Sequence, residues 1–527
     1  MINYTSQNQL SLELFEHPFE EHLDPENRWV KMAEIIPWDD LAAVYASKLQ
    51  SDSGRYSVNI RTVIAALIIK HYLGLDDRGT IEMIKENIYM QYFCGLKTFT
   101  KKKVFDPSLF VDIRKRMGGE EFDKFNRLII KSSEKRKPHQ SSIMSKGMKN
   151  KNNGTKNTSD GSSKSSDKEE EHKGQKGQVP NRGTLKLDAT VADQEIKFPN
   201  DVSLLNSARE NLERIIDNLY NAMKDISKPR DYRRVARKAY LGFSKKRRKS
   251  AKTIRKAIKV QLQFVRRDLK ITDMLLSKAG NDNLLSGRDI ELLKTIRKMY
   301  EQQKWMYDNK THSCPERIIS IYQPWVRPIV RGKDKNKTEF GAKINVSEVN
   351  GFCRINTFKW EAYNEGGDLP AQVESFRELY GCYPKVLLAD KIYLTRENRL
   401  FLKEKGIAIY GKPLGRPPAK PKETAQQRYR ERKKAAERNH IEGKFGQGKR
   451  GYGLNNIKAR LPETSESWIN AIFFVMNLTK LLQIVEKYPD FFVPVLDWIN
   501  FWLKRIEKRF QKYFFKAGPH FLLNLTW

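Results

Sequence analysis

Leu185-Lys-Leu-Asp-Ala-Thr190 is the stretch that decides the fold, because it sets a carboxylate on a short β-strand. Side chains alternate along a strand, so the apolar residues share one face and Asp188 lies on the other. Two later segments each carry one further carboxylate. One is the apolar run Val386-Leu-Leu-Ala-Asp390, and the other is the basic segment 438–449, whose one acidic residue is Glu442.

The residues after Asp188 predict a mixed α/β fold. Apolar residues recur at helical spacing through 202–310, and from Arg317 the pattern changes to that of strands. Strands alternating with helices are typical of a sheet covered by helices. The predicted elements are strands at 317–322, 339–346, 351–360, 386–389 and 407–410, a helix opening at Pro370, a helix at 398–405, a helix carrying Glu442, and a core helix at 468–485.

Composition indicates a polyanionic partner. The 527-residue chain holds 99 Lys and Arg against 63 Asp and Glu, a net charge of +36. Phosphate contacts dominate nucleic-acid binding, so a surface this positive favours nucleic acid. A membrane surface is the alternative, but no uninterrupted apolar run approaches the roughly 20 residues of a spanning helix. We expect neither a membrane partner nor a small-molecule substrate.

The cysteines and the N-terminus indicate a cytoplasmic protein. The four cysteines are far apart and form no CxxC pair, which favours reduced thiols over a disulfide framework or structural zinc; they are Cys94, Cys314, Cys353 and Cys382. The first residues lack the basic and apolar regions of a secretory signal.

The first 136 residues are predicted to form an all-helical domain. One buried helix face is marked by apolar residues at helical spacing, namely Ile60, Val63, Ile64, Leu67 and Ile68. Thr80 is placed to cap a second helix after a short turn. Such a pair is typical of a DNA-binding helix-turn-helix and equally of an ordinary helical hairpin. Nearby basic residues favour DNA contact: Lys97, Lys101, Lys102, Lys103, Arg114, Lys115 and Arg116.

Two segments on either side of the first strand have unusual compositions. Residues 137–182 have almost no aliphatic content and cannot offset the entropy of ordering, which predicts a disordered linker. Residues 228–270 hold 18 Lys or Arg against two acidic residues. A charge run is usually a solvated face, but one this dense favours a phosphate-binding surface without base specificity. Its densest part is Lys245, Lys246, Arg247, Arg248 and Lys249.

Asp188, Asp390 and Glu442 are predicted to converge. Asp390 ends a central strand, where α/β sheets place their ligands, and Glu442 lies on a helix after the last strand. Three carboxylates without a cation would repel one another, and divalent metal removes that penalty. Mg²⁺ prefers carboxylates together with waters and phosphate oxygens. Two such ions roughly 3.5–4 Å apart suit an in-line phosphoryl displacement, so we expect a site that cuts and joins DNA.

Glu442 has cations at helical spacing. Arg438 precedes it by four residues and Lys449 follows it by seven, which puts all three on one stripe of a helix. Cations beside a metal-binding carboxylate suit the clamping of phosphates. The alternative is an ordinary surface helix, and the glycines of this segment, Gly443, Gly446 and Gly448, each cost a helix on the order of 1 kcal/mol.

Several motifs carry a family resemblance. They are Leu187-Asp-Ala-Thr190, Gln323-Pro-Trp-Val-Arg-Pro-Ile-Val-Arg-Gly332, Glu339-Phe-Gly-Ala-Lys343, Ala389-Asp-Lys-Ile-Tyr393, Arg396-Glu-Asn398, Gly451-Tyr-Gly453 and Ile457-Lys-Ala-Arg-Leu461. Through them the chain resembles bacterial transposases of the insertion-sequence-5 family, within the larger DDE group. Related transposases surround the catalytic glutamate with Tyr, Arg and Lys. Arg438 and Lys449 fit that pattern, whereas Ala435 stands at the tyrosine position.

The resemblance implies an RNase H-like mixed-sheet core with a helical insertion. It implies that Asp188, Asp390 and Glu442 are catalytic and bind Mg²⁺, or alternatively Mn²⁺. The implied partners are double-stranded DNA, as terminal inverted repeats and target, and a second copy of the chain on paired ends, in association with the bacterial nucleoid. The chain then divides into a helical, DNA-binding domain at 1–136, a linker at 137–182, a catalytic domain at 183–201 with 316–480, a basic insertion at 202–315 and a helical tail at 481–527.

The predicted function is a DNA transposase that cleaves at the ends of an insertion sequence and joins the 3′-hydroxyls to target DNA. Two alternatives stay open. One is a metal-dependent nuclease of the same fold that joins no strands. The other is a non-enzymatic DNA-binding protein, such as an inactive transposase copy.

Overall fold

The computed structural model describes residues 2–6, 15–16, 22–49, 56–135, 179–223, 227, 229–279, 284–330, 338–410 and 425–487. Most of the predicted linker at 137–182, and the predicted tail beyond residue 487, lie outside the described residues. Those two predictions are therefore not tested.

The described residues form α-helices and six β-strands. The strands are β1 (Thr184–Asp193), β2 (Arg327–Val330), β3 (Thr338–Val349), β4 (Phe352–Lys359), β5 (Val386–Ala389) and β6 (Ala408–Ile409). The helices before β1 are α1 (Arg28–Ile35), α2 (Trp38–Ala46), α3 (Ile60–Leu73), α4 (Asp77–Glu86), α5 (Ile88–Phe93), α6 (Leu109–Arg116) and α7 (Gly119–Lys135). Those of the basic insertion are α8 (Asp201–Ala222), α9 (Arg233–Ser244), α10 (Ala251–Ala279) and α11 (Gly287–Asp308). The last four are α12 (Leu369–Tyr380), α13 (Arg396–Glu404), α14 (Ala425–Gly451) and α15 (Pro462–Lys487).

The strands form one mixed sheet, which confirms the mixed α/β fold. Their order is β2-β3-β1-β5-β6, and β4 pairs with β3. Strand β1 pairs antiparallel with β3 and parallel with β5, and β5 pairs parallel with β6. Both edges of β1 are therefore hydrogen-bonded to neighbours, which puts this strand in the middle of the sheet.

The predicted pair of strands at 339–346 and 351–360 is the β3–β4 hairpin. Its turn is tighter than the sequence suggested, because β3 continues to Val349 and β4 begins at Phe352. The two turn residues, Asn350 and Gly351, have φ values of 54° and 92°. Positive φ at both positions is the requirement of the two-residue turn whose twist matches that of paired strands, and Asn-Gly is its preferred sequence.

The two faces of the sheet are covered by different helices. Leu185 and Leu187 of β1 pack in a core with α12 and α13. On the other face, Ala192 of β1 packs in a core with Ile441 of α14 and with α15. Because side chains alternate along the strand, Asp188 lies on the α14 face.

Helix α15 contributes to two cores. Phe473 packs against the sheet, and Phe474 packs against the N-terminal helices, where its ring centre lies 5.1 Å from that of Phe125. By length and composition α15 is the one helix among the described residues that could cross a membrane, but 67% of its most apolar 18 residues are buried inside the protein. The core helix of a soluble protein has the same composition, so we interpret α15 as the predicted interior helix.

Helices α3 and α4 are the predicted helical pair, and a role for them in DNA binding stays a prediction. Helix α3 is buried along most of its length, including Lys70 and His71. The prediction that Thr80 caps the second helix is wrong. The cap of α4 is Asp76, whose side chain accepts from Gly79 N, and Thr80 lies within the helix. Helix α4 carries three carboxylates and two cations.

Buried cations join α15 to the N-terminal helices. Lys70 Nζ lies 4.4 Å from the ring centre of Trp468 and 2.9 Å from Asp77 Oδ1. Arg114 donates to both oxygens of Asp77 at 2.8 Å. Loss of hydration lowers the pKa of Lys70, and the Asp77 charge opposes that change. The expectation that Arg114 contacts DNA is therefore wrong, because its side chain is buried in this cluster.

The basic insertion has a core of its own. Apolar side chains of α8, α10 and α11 pack together, with Leu212, Val265 and Ile296 fully buried. Helix α9 buries only Ala236 among its residues; Arg233 is paired with Asp217, and the other cations, Arg234, Arg237 and Lys238, are exposed. The core of the insertion is therefore formed by α8, α10 and α11, whereas the basic helix α9 packs only weakly against it.

The predicted strand at 317–322 is wrong. No strand forms at 317–322, because Ile318 and Ile321 pack into the core of the insertion instead of pairing with the sheet. These two side chains are buried by helices, and the strand that pairs with β3 is β2. Asp193 is the last residue of β1.

We expect Asp268→Asn, on α10, to remove a pH dependence of stability. Burial raises the pKa of Asp268 from 3.8 to about 7, and the Glu213 charge adds to the rise. A folded-state pKa above the unfolded value favours the protonated carboxyl, so its contribution is complete below about pH 4 and is lost as the pH rises to about 7. At about 1.4 kcal/mol per pKa unit, the rise from 3.8 to about 7 corresponds to roughly 4 kcal/mol, so the variant should exceed the parent in unfolding free energy by up to about that amount at pH 8.

Urea unfolding at pH 5 and pH 8 measures this difference. Asp273→Asn is the matched control, because it removes a half-exposed carboxylate from the same helix. Parallel pH profiles for the Asp268→Asn variant and the parent would contradict the assignment.

Candidate active site

Asp188 and Asp390 lie side by side in the sheet. Strands β1 and β5 pair in parallel through Leu187 and Ala389. Continuing this register by one residue sets Asp188 beside Asp390, on strands about 4.8 Å apart. Partners in register share a face, so both carboxylates lie on the face that α14 covers. The structure therefore brings together two of the three predicted carboxylates.

Each of these carboxylates is oriented by the amide that follows it. The amide of Ala189 donates to Asp188 Oδ1 at 2.8 Å, within the strand. The amide of Lys391 donates to Asp390 Oδ1 at 2.7 Å, where β5 ends and a short 3₁₀ turn begins. Asp188 is half-buried and Asp390 is exposed. The pair is thus open to solvent on the side of Asp390.

Glu442 is carried to the same face by α14. Its neighbour Ile441 is fully buried and Phe445 nearly so, and both pack against the sheet. The glutamate side chain itself is about half exposed and makes an ion pair of 3.1 Å with Arg438, as their four-residue spacing favours. In the part of the chain that the structure describes, no three His, Cys, Asp or Glu side chains are close enough to hold a metal ion.

Lys449 lies at the far end of β1. Its Nζ is 3.3 Å from Glu339 Oε1 and 3.7 Å from Asp193 Oδ2. Burial raises the pKa of Asp193, and the Lys449 charge opposes the rise. Asp193 is five residues beyond Asp188, or roughly 17 Å along a strand. In this structure Lys449 therefore joins α14 to the end of β1.

A buried polar network lies beneath the two aspartates, on the opposite face of the sheet. Tyr393 OH donates to Asn345 Oδ1 at 2.7 Å, and Gln372 Nε2 donates to the same oxygen at 3.0 Å. Asn345 Nδ2 donates in turn to Asp368 Oδ2 at 2.8 Å. Asn398 Nδ2 donates to Tyr393 O at 2.7 Å. Burial, and next the negative charge of Asp188, raise the pKa of Tyr393, so its hydroxyl stays protonated.

Sequence reasoning missed this network. Tyr393 and Asn398 stand in two of the motifs that carry the family resemblance, so a signal for them was present. Asn345 gives no comparable signal, because a single Asn in a strand is not distinguished by spacing. Only the register of β3 against β1 places it opposite Ala189.

The structure has two exposed basic surfaces: one on α14, the helix that carries Glu442, and one on the basic insertion. The first half of α14 has no buried side chain among those described before Ile441, and its exposed cations are Arg430, Arg432 and Lys433. The second surface is the turn between α9 and α10. All five of its basic residues are exposed and, among the described residues, none makes an ion pair with a carboxylate. They are Lys245, Lys246, Arg247, Arg248 and Lys249.

Two family profiles match the chain. The profile of a transposase DDE domain matches residues 387–479, and that of a second transposase domain, DUF772, matches residues 17–116. The first match begins in β5, contains Asp390 and Glu442, and ends in α15. It does not reach Asp188. The second match covers most of the N-terminal helices.

Comparison with curated proteins and solved structures adds little about function. The chain is similar to the uncharacterized protein ORF8 in the nfe locus of Rhizobium meliloti, with 28% identity over 106 residues, which are 20% of this chain and 51% of that protein. The chain thus spans about half the length of this relative. No solved structure matches.

We expect replacement of the five residues 245–249 by alanine to weaken DNA binding and to flatten its salt dependence. Each lost phosphate contact should lower the slope of log affinity against log salt concentration by about 0.9. Fluorescence anisotropy with labelled duplex DNA at several salt concentrations measures the slope.

The matched control removes five exposed cations from in and just after α11: Arg288, Lys294, Lys298, Lys304 and Lys310. It carries the same change in net charge. Equal slopes for the two variants would show that residues 245–249 act only through overall charge.

Proposed function

We propose that this chain, whose two transposase domains indicate a DNA transposase of the DDE type, cleaves DNA at the ends of an insertion sequence and joins the freed 3′-hydroxyls to target DNA. The observation that supports this most is the parallel register of β1 and β5, which sets Asp188 beside Asp390. Two neighbouring carboxylates on an open face, near a helix that carries a third, suit metal-assisted phosphoryl transfer. The fold would be RNase H-like, with a hairpin on one side of β1 and parallel strands on the other.

Asp188, Asp390 and Glu442 would hold the divalent metal. Carboxylate oxygens are the donors that Mg²⁺ prefers, and Mn²⁺ accepts the same set. The fit is good for the two aspartates, which are adjacent and oriented. Glu442 has the right donor atoms, but it would have to exchange Arg438 for the metal. When bound, two such ions would activate the attacking hydroxyl and stabilise the leaving oxygen.

The cations have separate proposed roles. Arg438 is half-exposed beside Glu442 and is free to contact a phosphate once the glutamate turns away. For Lys449, whose two carboxylate partners hold it at the far end of β1, we propose a structural role in fixing α14. A phosphate contact by Lys449 would require it to leave both partners.

Double-stranded DNA is the proposed partner, both as terminal inverted repeats and as target. The exposed first half of α14 leads directly up to Glu442, so DNA bound at the two aspartates would extend along the exposed cations of this helix. The surface at 245–249 would hold a more distant stretch of backbone. Two copies of the chain on paired ends, as in insertion-sequence-5 transposases, and association with the nucleoid complete the proposal.

We expect Asp390→Asn to abolish cleavage of DNA that carries the element ends while binding to those ends stays largely intact. The amide keeps the shape of the side chain and loses the charge that holds metal. Loss of one preorganised charge at a reacting phosphate should reduce the rate on the order of 10²–10³-fold or more. Gel assays of cleavage and of binding, with the same labelled DNA, measure the two effects.

Asp308→Asn, an exposed carboxylate at the end of α11, is the control and should cleave as the parent does. A second assay offers pre-cut ends and a target plasmid. A joined product supports a transposase, whereas cleavage without joining would indicate a nuclease. Unchanged cleavage by the Asp390→Asn variant would refute the proposed site.

A further inference from the structure

We infer that Tyr393, Asn345 and Asn398 are positioning residues, which hold the turn after Asp390 so that its carboxylate stays beside Asp188. The inference rests on the proposed function of the two aspartates. None of the three residues would touch metal or DNA, because all lie beneath the sheet, and all are buried.

Asp390 needs such support because of where it stands. Strand β5 ends at Ala389, so its ladder hydrogen bonds stop one residue before the aspartate. Asp390 itself is exposed, and its side chain accepts from the amide of its own turn. That bond orients the carboxylate relative to the turn, but it does not fix the turn relative to β1.

Tyr393 fixes the turn to the strand on the other side of β1. The turn Lys391–Tyr393 closes with Tyr393 N donating to Asp390 O at 3.0 Å. The side chain of Tyr393 then passes under the sheet and donates to Asn345 Oδ1 at 2.7 Å. Asn345 pairs with Ala189, the residue after Asp188. One hydrogen bond therefore links the backbone that follows Asp390 to the strand that borders Asp188.

Asn398 fixes the same turn from a second direction. Its Nδ2 donates to Tyr393 O and to Gly366 O, both at 2.7 Å, so one buried amide joins two loops. The second loop packs tightly against the turn. A Cβ added to Gly366 would lie 2.4 Å from Ile392 O, so only glycine allows this approach. Three contacts thus hold the turn: the hydrogen bond from Tyr393 to Asn345, the hydrogen bond from Asn398 to Tyr393 O, and the close backbone contact of Gly366 with Ile392.

Asn345 is itself held in one orientation. Its oxygen accepts from Tyr393 and Gln372, and its nitrogen donates to Asp368. The exchange of its oxygen and nitrogen would set its NH₂ group against the NH₂ group of Gln372 and its oxygen against the Asp368 carboxylate, so the amide cannot turn over without losing these bonds. A buried amide whose oxygen and nitrogen are both hydrogen-bonded in this way is held in a single orientation.

The experiment measures Mn²⁺ binding to the full chain by the loss of the electron paramagnetic resonance signal of the free ion. Tyr393→Phe removes one hydroxyl and keeps the ring. We expect the dissociation constant for Mn²⁺ to rise about 10-fold or more, as it does when the groups supporting metal ligands are removed. Binding of the variant to DNA ends without metal should equal that of the parent.

Tyr452→Phe is the matched control, because Tyr452 OH makes a partly buried hydrogen bond of 3.0 Å to Thr479 on α15. Both variants lose one tyrosine hydroxyl, so similar falls in melting temperature without metal are expected. Only Tyr393→Phe should lose Mn²⁺ affinity. If Tyr393→Phe does not fold, Asn398→Ala and Gly366→Ala disturb the same turn by a lost bond and by an added atom, and each should weaken Mn²⁺ binding.

The outcomes separate the inference from the proposed function. If the parent binds Mn²⁺ and the Asp390→Asn variant does not, the metal site stands. Parent-like Mn²⁺ affinity in the Tyr393→Phe variant would then overturn the positioning role alone. If the parent binds no Mn²⁺, both the proposed site and the positioning role fail.

Discussion

The parallel pairing of β1 with β5 is the constraint on which the candidate site depends. It brings together two residues that are about two hundred positions apart in sequence, and it does so with backbone hydrogen bonds alone. A shift of one residue in this register would turn either aspartate to the opposite face of the sheet. Strand β3 secures β1 along eight residue pairs on its other edge, so the register is determined by a long ladder as well as by the short one.

Local sequence patterns were sufficient to predict most of the helices and strands. The alternation around Asp188, the unbroken apolar run before Asp390 and the Asn-Gly turn each reflect a physical requirement of the strand or turn in which they lie. The prediction of a strand at 317–322 failed because a run of β-branched residues indicates burial and not strand pairing, and Ile318 and Ile321 are buried by helices. Lys449 shares a helix stripe with Glu442, yet the carboxylates that hold it come from β1 and β3, which no local pattern reveals.

Charge is divided in this protein between two environments. Most of the described cations of α9, those of the turn after it, and Arg430, Arg432 and Lys433 of α14 are exposed to solvent, where they repel one another and attract phosphate. Lys70 and Arg114 are instead buried against Asp77 and Trp468 and serve packing. Net charge therefore favours a polyanionic partner, but it could not tell which cations would face that partner.

The position of α15 has a consequence for anyone who wishes to divide the chain. Its aromatic and aliphatic side chains pack against the N-terminal helices on one side and against the sheet on the other. A fragment that ended before this helix would expose the apolar surface of the N-terminal helices that α15 covers. A fragment that contained α15 with only one of its two partners would expose the other apolar face of α15. Separate expression of the two halves would therefore yield material prone to aggregate.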